Sequence, residues 1–480
     1  MSQTTSTIRS FGFFLNGNWS THGREAVVTS PYDHSVLAVI SEAGSDDVEV
    51  AIESAVQAFA VTRKMTSQQR ADVLHKIVEG ITARREEFAR TICQEAGKPI
   101  RTARVEVDRA IYTFQVAAEE STRIYGEYIP LDTLESAAGR WGLVRRFPLG
   151  PVFGITPFNF PLNLVAHKVA PAIAAGCPII LKPAPQTPIS SFLLAEIVQE
   201  SGWPEGALAA MPLSNHDAGI LVADDRIKLL TFTGSAAVGW QLKSHAGKKR
   251  VTLELGGNAG VIVHSDADVQ YAAQRCVAGG FSYGGQTCIS VQRILAHEAV
   301  FDKFTEQLVH GVRKLKSGDP MLETTDVPPL IREHDAVRVV EWIDEAVQAG
   351  AKLLCGGKRK GALVEPTVLT DTTPNMRVNC AELFGPVVTV ESYETFDEAL
   401  STINNSVYGL QAGIMTHDAR LIQTAFEELE VGSVIVGDVP TFRVDQMPYG
   451  GVKDSGLGRE GLRYAIEDMT DRKLLVMALR

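Results

Sequence analysis

Cysteine is scarce in this chain: six in 480 residues, Cys93, Cys177, Cys276, Cys288, Cys355 and Cys380, with no CxxC pair among them. That spacing argues against a zinc site or a disulfide framework and points to a reduced, cytoplasmic protein whose thiols are either core filler or reactive. Basic residues are also in deficit. Lys and Arg number 46 against 57 Asp and Glu, a formal net charge of −11, and no basic run breaks the balance. Such a chain is a poor nucleic-acid binder. No stretch approaches the roughly 18 uninterrupted apolar residues of a membrane span. The N-terminus, MSQTTSTIRSFGFFLNGNW, has one arginine and only a very short apolar patch, unlike a secretory signal. Low-complexity tracts and fixed-period repeats are missing too. What remains is globular composition, 45% hydrophobic and 21% charged, in a chain long enough for more than one domain.

Within that composition, short apolar runs alternate with helical patterns. VFGI (152–155), PIIL (178–181), KLLTF (228–232), VTLEL (251–255) and GVIVH (260–264) read as buried strands, and 189–200 and 216–223 as helices. This alternation predicts an α/β fold around parallel sheets with helices on both faces. A second alternating region runs from about 290 to 440. RWGLVRRF (140–147) and the terminal LLVMAL (474–479) read as further strands, the last expected to find its partner on another subunit. GLGREG (456–461) matches G-x-G-x-x-G letter for letter, but no strand precedes it and only 19 residues follow, so it reads as a glycine-rich turn.

Four segments carry chemistry-bearing residues. In GGQTCIS (284–290), Cys288 follows glycines, an amide and a hydroxyl, the access and donors that a nucleophilic thiol needs. Glu254 ends an apolar strand before two glycines; it is either a salt-bridged strand terminus or a general base with a raised pKa. Asn159, in TPFNFP, could donate to an oxyanion or simply cap a turn. Lys182 ends a buried strand, where a lysine often meets a ligand, and FTGSAAVG (232–239) offers a turn and a helix N-terminus to phosphates.

Taken together, PFNFP, LKPAPQTP, FTGS, LELGG, GGQTC, ELFGP and PYGGVKDSGLGREG occur in the order and approximate spacing of the aldehyde dehydrogenase superfamily, from FLNGNW at 14–19 to the final strand. The resemblance implies a Rossmann-variant cofactor domain (1–122 and 149–256), an α/β catalytic domain (257–455) and β oligomerisation segments (123–148 and 456–480) that make a homodimer or homotetramer. It implies that Cys288 attacks the aldehyde, that Asn159 and the Cys288 N–H hold the oxyanion, and that Glu254 activates water against the thioester. Lys168 and Glu460 match positions tied to proton movement. NAD would lie against Thr156, Lys182, Thr233, Gly234, Ser235, Glu382 and Phe384. Pro185 replaces the glutamate that in many relatives repels a 2′-phosphate, so NADP stays open. A CoA-acylating relative or a non-catalytic binding protein is the rival reading. Glu254 speaks against the first, and the joint presence of Cys288, Glu254 and Asn159 against the second.

Substrate residues are expected at three places along the family's tunnel, beside Thr287. Phe160, Asn163 and His167 share an i, i+3, i+7 face. Arg109 lies off the apolar stripe of a helix at 101–118, near Val105, Tyr112 and Val116, unless it pairs with Glu106. Arg443, in FRVDQMPYGG, reaches the tunnel mouth unless it pairs with Asp445. Two unpaired cations with an imidazole and an amide would suit a small anionic aldehyde, phosphonoacetaldehyde first, with glyceraldehyde 3-phosphate, succinate semialdehyde and lactaldehyde as alternatives.

Overall fold

The computed structural model describes residues 9–478, so the first eight residues of the N-terminal segment and Leu479 of the terminal run lie outside the described residues. Two large sheets dominate. The first has eight strands in the order Gly456–Leu457, Arg250–Glu254, Leu229–Thr233, Val152–Ile155, Ile179–Lys182, Leu208–Ala210, Phe13–Leu15 and Asn18–Ser20. Its five middle strands after the first are parallel, and the flanking ones antiparallel. The five runs read as buried strands all form strands, shifted by a residue at most, while the terminal run belongs to a strand that begins four residues earlier, at Thr470. They are continuous apolar runs because both faces are covered by helices.

Chain order makes Val152–Ile155 the turning point. The chain moves from it to Ile179–Lys182 and Leu208–Ala210 on one side, then returns to Leu229–Thr233 and Arg250–Glu254 on the other. A crevice opens beyond the carboxyl ends of strands at such a reversal. Asn159, Thr233 and Glu254 all follow or end strands at that edge. The second sheet has seven strands, Lys352–Cys355, Thr367–Thr370, Val387–Tyr393, Arg293–His297, Gly260–Val263, Gln411–Met415 and Ser433–Val436. It offers its opposite, amino-terminal edge: Gly256, Gly257, Cys288, Glu382 and Phe384 all precede its strands. GLGREG supplies an edge strand, Leu457 pairing with Leu253, and forms no nucleotide loop.

Three strands, Thr470–Ala478, Arg140–Pro148 and Glu127–Pro130, form a separate antiparallel sheet. The terminal strand has a partner within the chain, paired from Thr470↔Pro148 to Ala478↔Arg140. Its outer edge remains open, and Leu474, Leu475 and Val476 are each about half exposed. An open apolar edge of this kind invites association. Light scattering is expected to give a dimer or tetramer, and Leu475→Asp with Val476→Asp is expected to lower the mass. A monomeric parent protein would count against the assembly.

Candidate active site

The carboxyl edge of the first sheet and the amino edge of the second enclose a cavity of about 450 Å³. Cys288, Asn159, Glu254, Thr233, Gly234, Ser235, Glu382, Phe384, Arg109, Asn163, Thr287 and Arg443 all line it. Lys168, Glu460 and His167 sit behind the wall, and Thr156 and Lys182 lie at neighbouring strand ends.

Cys288 is half-buried, and its Sγ lies 3.0 Å from the Tyr449 hydroxyl. Burial, reinforced by Glu254, pushes its pKa up to about 12, so the resting group is a thiol. The loop that carries it is fixed by its glycines. Gly285 has φ +73° and packs so tightly on the Gly385 carbonyl that no side chain fits. Asn159 is buried, donates Nδ2 to the Gln286 carbonyl at 3.0 Å, and leaves Oδ1 without a partner. The second Nδ2 hydrogen is thus available to the cavity.

Glu254 is buried with Oε1 unpartnered. Burial and the charge of Glu460 raise its pKa well above the usual glutamate range, against the opposing pull of Arg443 and Lys168. Lys168 is fully buried and donates to Thr231 at 3.0 Å, Thr233 at 2.8 Å and Glu460 at 3.3 Å. Burial would raise Glu460 as well, but Lys168 and Arg443 reverse that and hold it near about 2.

Several expectations about the polar wall need correction. The helix containing Asn163 and His167 begins at Asn163, so Phe160 precedes it instead of sharing its face. Along the helix Ile100–Ser121, Val105 and Tyr112 are exposed and only Val116 of the three expected apolar neighbours of Arg109 is buried. Glu106 points inward to Lys98, and Arg109 pairs with Asp445 through Nη2 at 2.7 Å and Nε at 3.3 Å. Arg443 does not take Asp445. Its Nη2 donates to Glu460 at 3.0 Å, and its guanidinium lies 3.6 Å from the Tyr449 ring centre. Neither arginine is unpaired, because a cation buried at this depth without a counter-charge would be too costly. Asn163 Nδ2 and His167 Nε2 also bond Asp445, at 3.2 and 2.8 Å.

Sequence reasoning quoted Asp445 only as a possible partner of Arg443, and quoted Tyr449 without a role. It missed Gln286 as the acceptor for Asn159. The one available signal was the position of Asp445 between Arg443 and PYGG.

A dinucleotide finds suitable groups on the other side of the cavity. Ser235 caps the helix Ala236–His245 with no side-chain bond, leaving the first amides for a phosphate. Glu382 accepts from Gly257 N at 3.0 Å, and its carboxylate lies so close over Gly256 that no Cβ would fit; burial raises it to about 7. Phe384 holds a left-handed φ of 51° and meets Phe158 edge-on. Lys182 is buried at its strand end, its pKa lowered by burial. Pro185 is exposed and brings no charge to the ribose side.

Comparison with known proteins agrees with this layout. The aldehyde dehydrogenase family model matches residues 19–475. The 3-sulfolactaldehyde dehydrogenase of Priestia aryabhattai is 44% identical, over 98% of this chain and 99% of its own. Aldehyde dehydrogenase 21 from Physcomitrella patens, solved in complex with the reaction product succinate, superposes with a TM-score of 0.97 at 48% identity, covering 98% of this chain and 99% of that one. Glyceraldehyde-3-phosphate dehydrogenase GapN from Methanocaldococcus jannaschii, complexed with NADP, gives 0.92 at 38%, covering 95% and 100%. The chain belongs to the aldehyde dehydrogenase family and is an oxidoreductase of that family's NAD(P)-dependent kind.

Proposed function

We propose that this enzyme oxidises a short aldehyde bearing one terminal anionic group, a sulfonate or a carboxylate, to its acid through a Cys288 thioester. The observation that carries this reading is the pair of guanidiniums, Arg109 and Arg443, on the same cavity wall as Cys288, each already matched by one carboxylate. Arg109 spends Nε and Nη2 on Asp445, which leaves Nη1 for a ligand. Phe158, Phe160, Leu164 and Ile289 line the rest of the pocket and suit a short carbon chain. The sulfonate and carboxylate named for two relatives fit this chemistry. Phosphonoacetaldehyde, the substrate favoured from sequence, brings a second charge, whereas Arg109 and Arg443 each already face a carboxylate.

Cys288 Sγ adds to the aldehyde carbon, and its proton leaves through solvent or the Glu254 carboxylate. The free Nδ2 hydrogen of Asn159 and the Cys288 N–H hold the oxyanion, a contribution of about 3–4 kcal/mol per donor in comparable sites. NAD(P), when bound, accepts the hydride, held by Lys182, Thr233 to Ser235, Glu382 and Phe384, with Thr156 at the adjoining strand end. Glu254 then takes a proton from the water that hydrolyses the thioester. Its raised pKa makes it a stronger base than an ordinary glutamate. Lys168 and Glu460, in contact behind it, hold charges that bias that exchange.

Cys288→Ala is expected to abolish aldehyde oxidation. Glu254→Gln is expected to lower turnover by about 10²–10⁴-fold. Because the base works as the carboxylate, turnover in the parent enzyme falls as pH drops through a value well above the ordinary glutamate range. In the Gln variant that limb disappears; a limb that persists unchanged assigns the base elsewhere.

Initial rates across sulfoacetaldehyde, succinate semialdehyde, phosphonoacetaldehyde, glyceraldehyde 3-phosphate, lactaldehyde and propanal, each with NAD and NADP, test the substrate class. The monoanions are expected to lead, with both cofactors used. Propanal or lactaldehyde performing equally well would make the arginines structural.

A further inference from the structure

One carboxylate organises the polar wall. Asp445 lies on the loop after Arg443 and is almost completely buried. Its Oδ1 accepts from Arg109, His167 and Asn163, and its Oδ2 from Arg109 Nε. His167 also lies against the other half of the wall, its Nε2 3.3 Å from Arg443 Nη2, but with that nitrogen donating to Asp445 the two share no hydrogen bond. Burial and Arg443 lower the His167 pKa, against the opposing pull of Asp445. Nearby, Arg443 and Lys168 both pair with Glu460, and Glu254 lies beyond them with its pKa raised by burial; Arg332, Asp335, Arg338 and Glu382 line the same cavity. Asp445 is thus the group that cancels Arg109, the more exposed guanidinium of the two.

We propose that Asp445 is a specificity-determining residue that restricts the pocket to one negative charge by neutralising Arg109 while leaving that guanidinium a free donor edge. This rests on the anionic-aldehyde reading above and adds to it a reason for choosing between ligands of one shape. A sulfonate and a phosphonate are near-isosteres; the phosphonate carries the second charge. A unit charge a few ångströms away in a partly buried site changes such a preference by an order of magnitude or more.

Sulfoacetaldehyde and phosphonoacetaldehyde form the matched pair. In Asp445→Asn, which keeps the shape and an acceptor oxygen, the ratio of kcat/KM for the phosphonate over the sulfonate is expected to rise about tenfold or more. The shift should shrink at a pH where the phosphonate is singly charged, and Asp445→Glu should return the ratio towards that of the parent. Propanal measures the general cost of each substitution, which cancels in the ratio. Should the Asn variant not fold, the parent enzyme supplies the test. Ethylphosphonate should lose inhibitory affinity relative to ethanesulfonate as pH rises through its second ionisation. A ratio unmoved by Asp445→Asn, or a phosphonate that binds better as it gains charge, overturns the role given to Asp445. A parent enzyme with no preference for either anion over propanal overturns the underlying reading instead.

Discussion

The geometry of the catalytic centre depends on an ammonium with no access to water. Lys98 is fully buried, ion-paired with Glu106, and lies 3.6 Å from the Phe160 ring centre and 4.6 Å from that of Tyr283. The other Glu106 oxygen accepts from the Leu162 and Asn163 amides at the start of the helix Asn163–Ala175. One ion pair therefore ties the TPFNFP loop to the loop that leads into GGQTC. Tyr283 answers from its side with a left-handed backbone and a hydroxyl bond of 2.7 Å to the Ala96 carbonyl. Burying two ions costs several kcal/mol each, and losing one partner would leave an uncompensated charge worth about 3–5 kcal/mol. The amides and two aromatic faces offset that cost, each cation–π contact by up to about 2 kcal/mol. What results is the meeting of Asn159 with Gln286, two residues from Cys288, without which the oxyanion donor and the nucleophile would not share a cavity.

Around that frame, environment separates groups of the same chemistry. Glu254 and Glu460 are both buried carboxylates a short distance apart, and two like charges there cannot both persist. Lys168 and Arg443 contact Glu460 directly and settle the charge on it. Glu254, with only distant cations and an unpartnered oxygen, is left as the group that titrates in a useful range. Cys288 shares those buried surroundings and rests as a thiol.

The strand edges were legible because a parallel strand buried on both faces must be a continuous apolar run, as VFGI and GVIVH are. The motif residues at the ends of those strands were legible for the same reason: Glu254 breaks such a run, and Cys288 follows two glycines. Partners across the fold were not legible. Arg109 and Asp445 are 336 residues apart, and Lys98 and Tyr283 lie far apart in the chain and outside the quoted motifs. Local spacing offered Glu106 to Arg109 and Asp445 to Arg443, and tertiary packing overrode both. Glu106 was already committed to a helix N-terminus, and Glu460 arrived from a glycine-rich strand at the sheet edge. Spacing also could not show that the terminal strand folds back on Arg140–Pro148, since strand pairing leaves no local mark.

On the proposed reading, the neutralised wall selects for an anion through donors rather than net charge. Arg443 keeps a buried Nε without a partner, and Arg109 keeps Nη1. An apolar aldehyde would displace the water that serves the open donor edge and supply nothing in return, a loss of about 1–3 kcal/mol for each donor left unsatisfied. An oxyanion supplies acceptors in the plane of a guanidinium, where a charge-assisted bond is roughly twice as strong as a neutral one. A second charge on the ligand adds no new donor and meets the carboxylates already in place. On the proposed reading, pairing the arginines within the protein gives up raw attraction for discrimination: an uncharged aldehyde would leave donors unsatisfied, and a doubly charged one would meet Asp445 and Glu460.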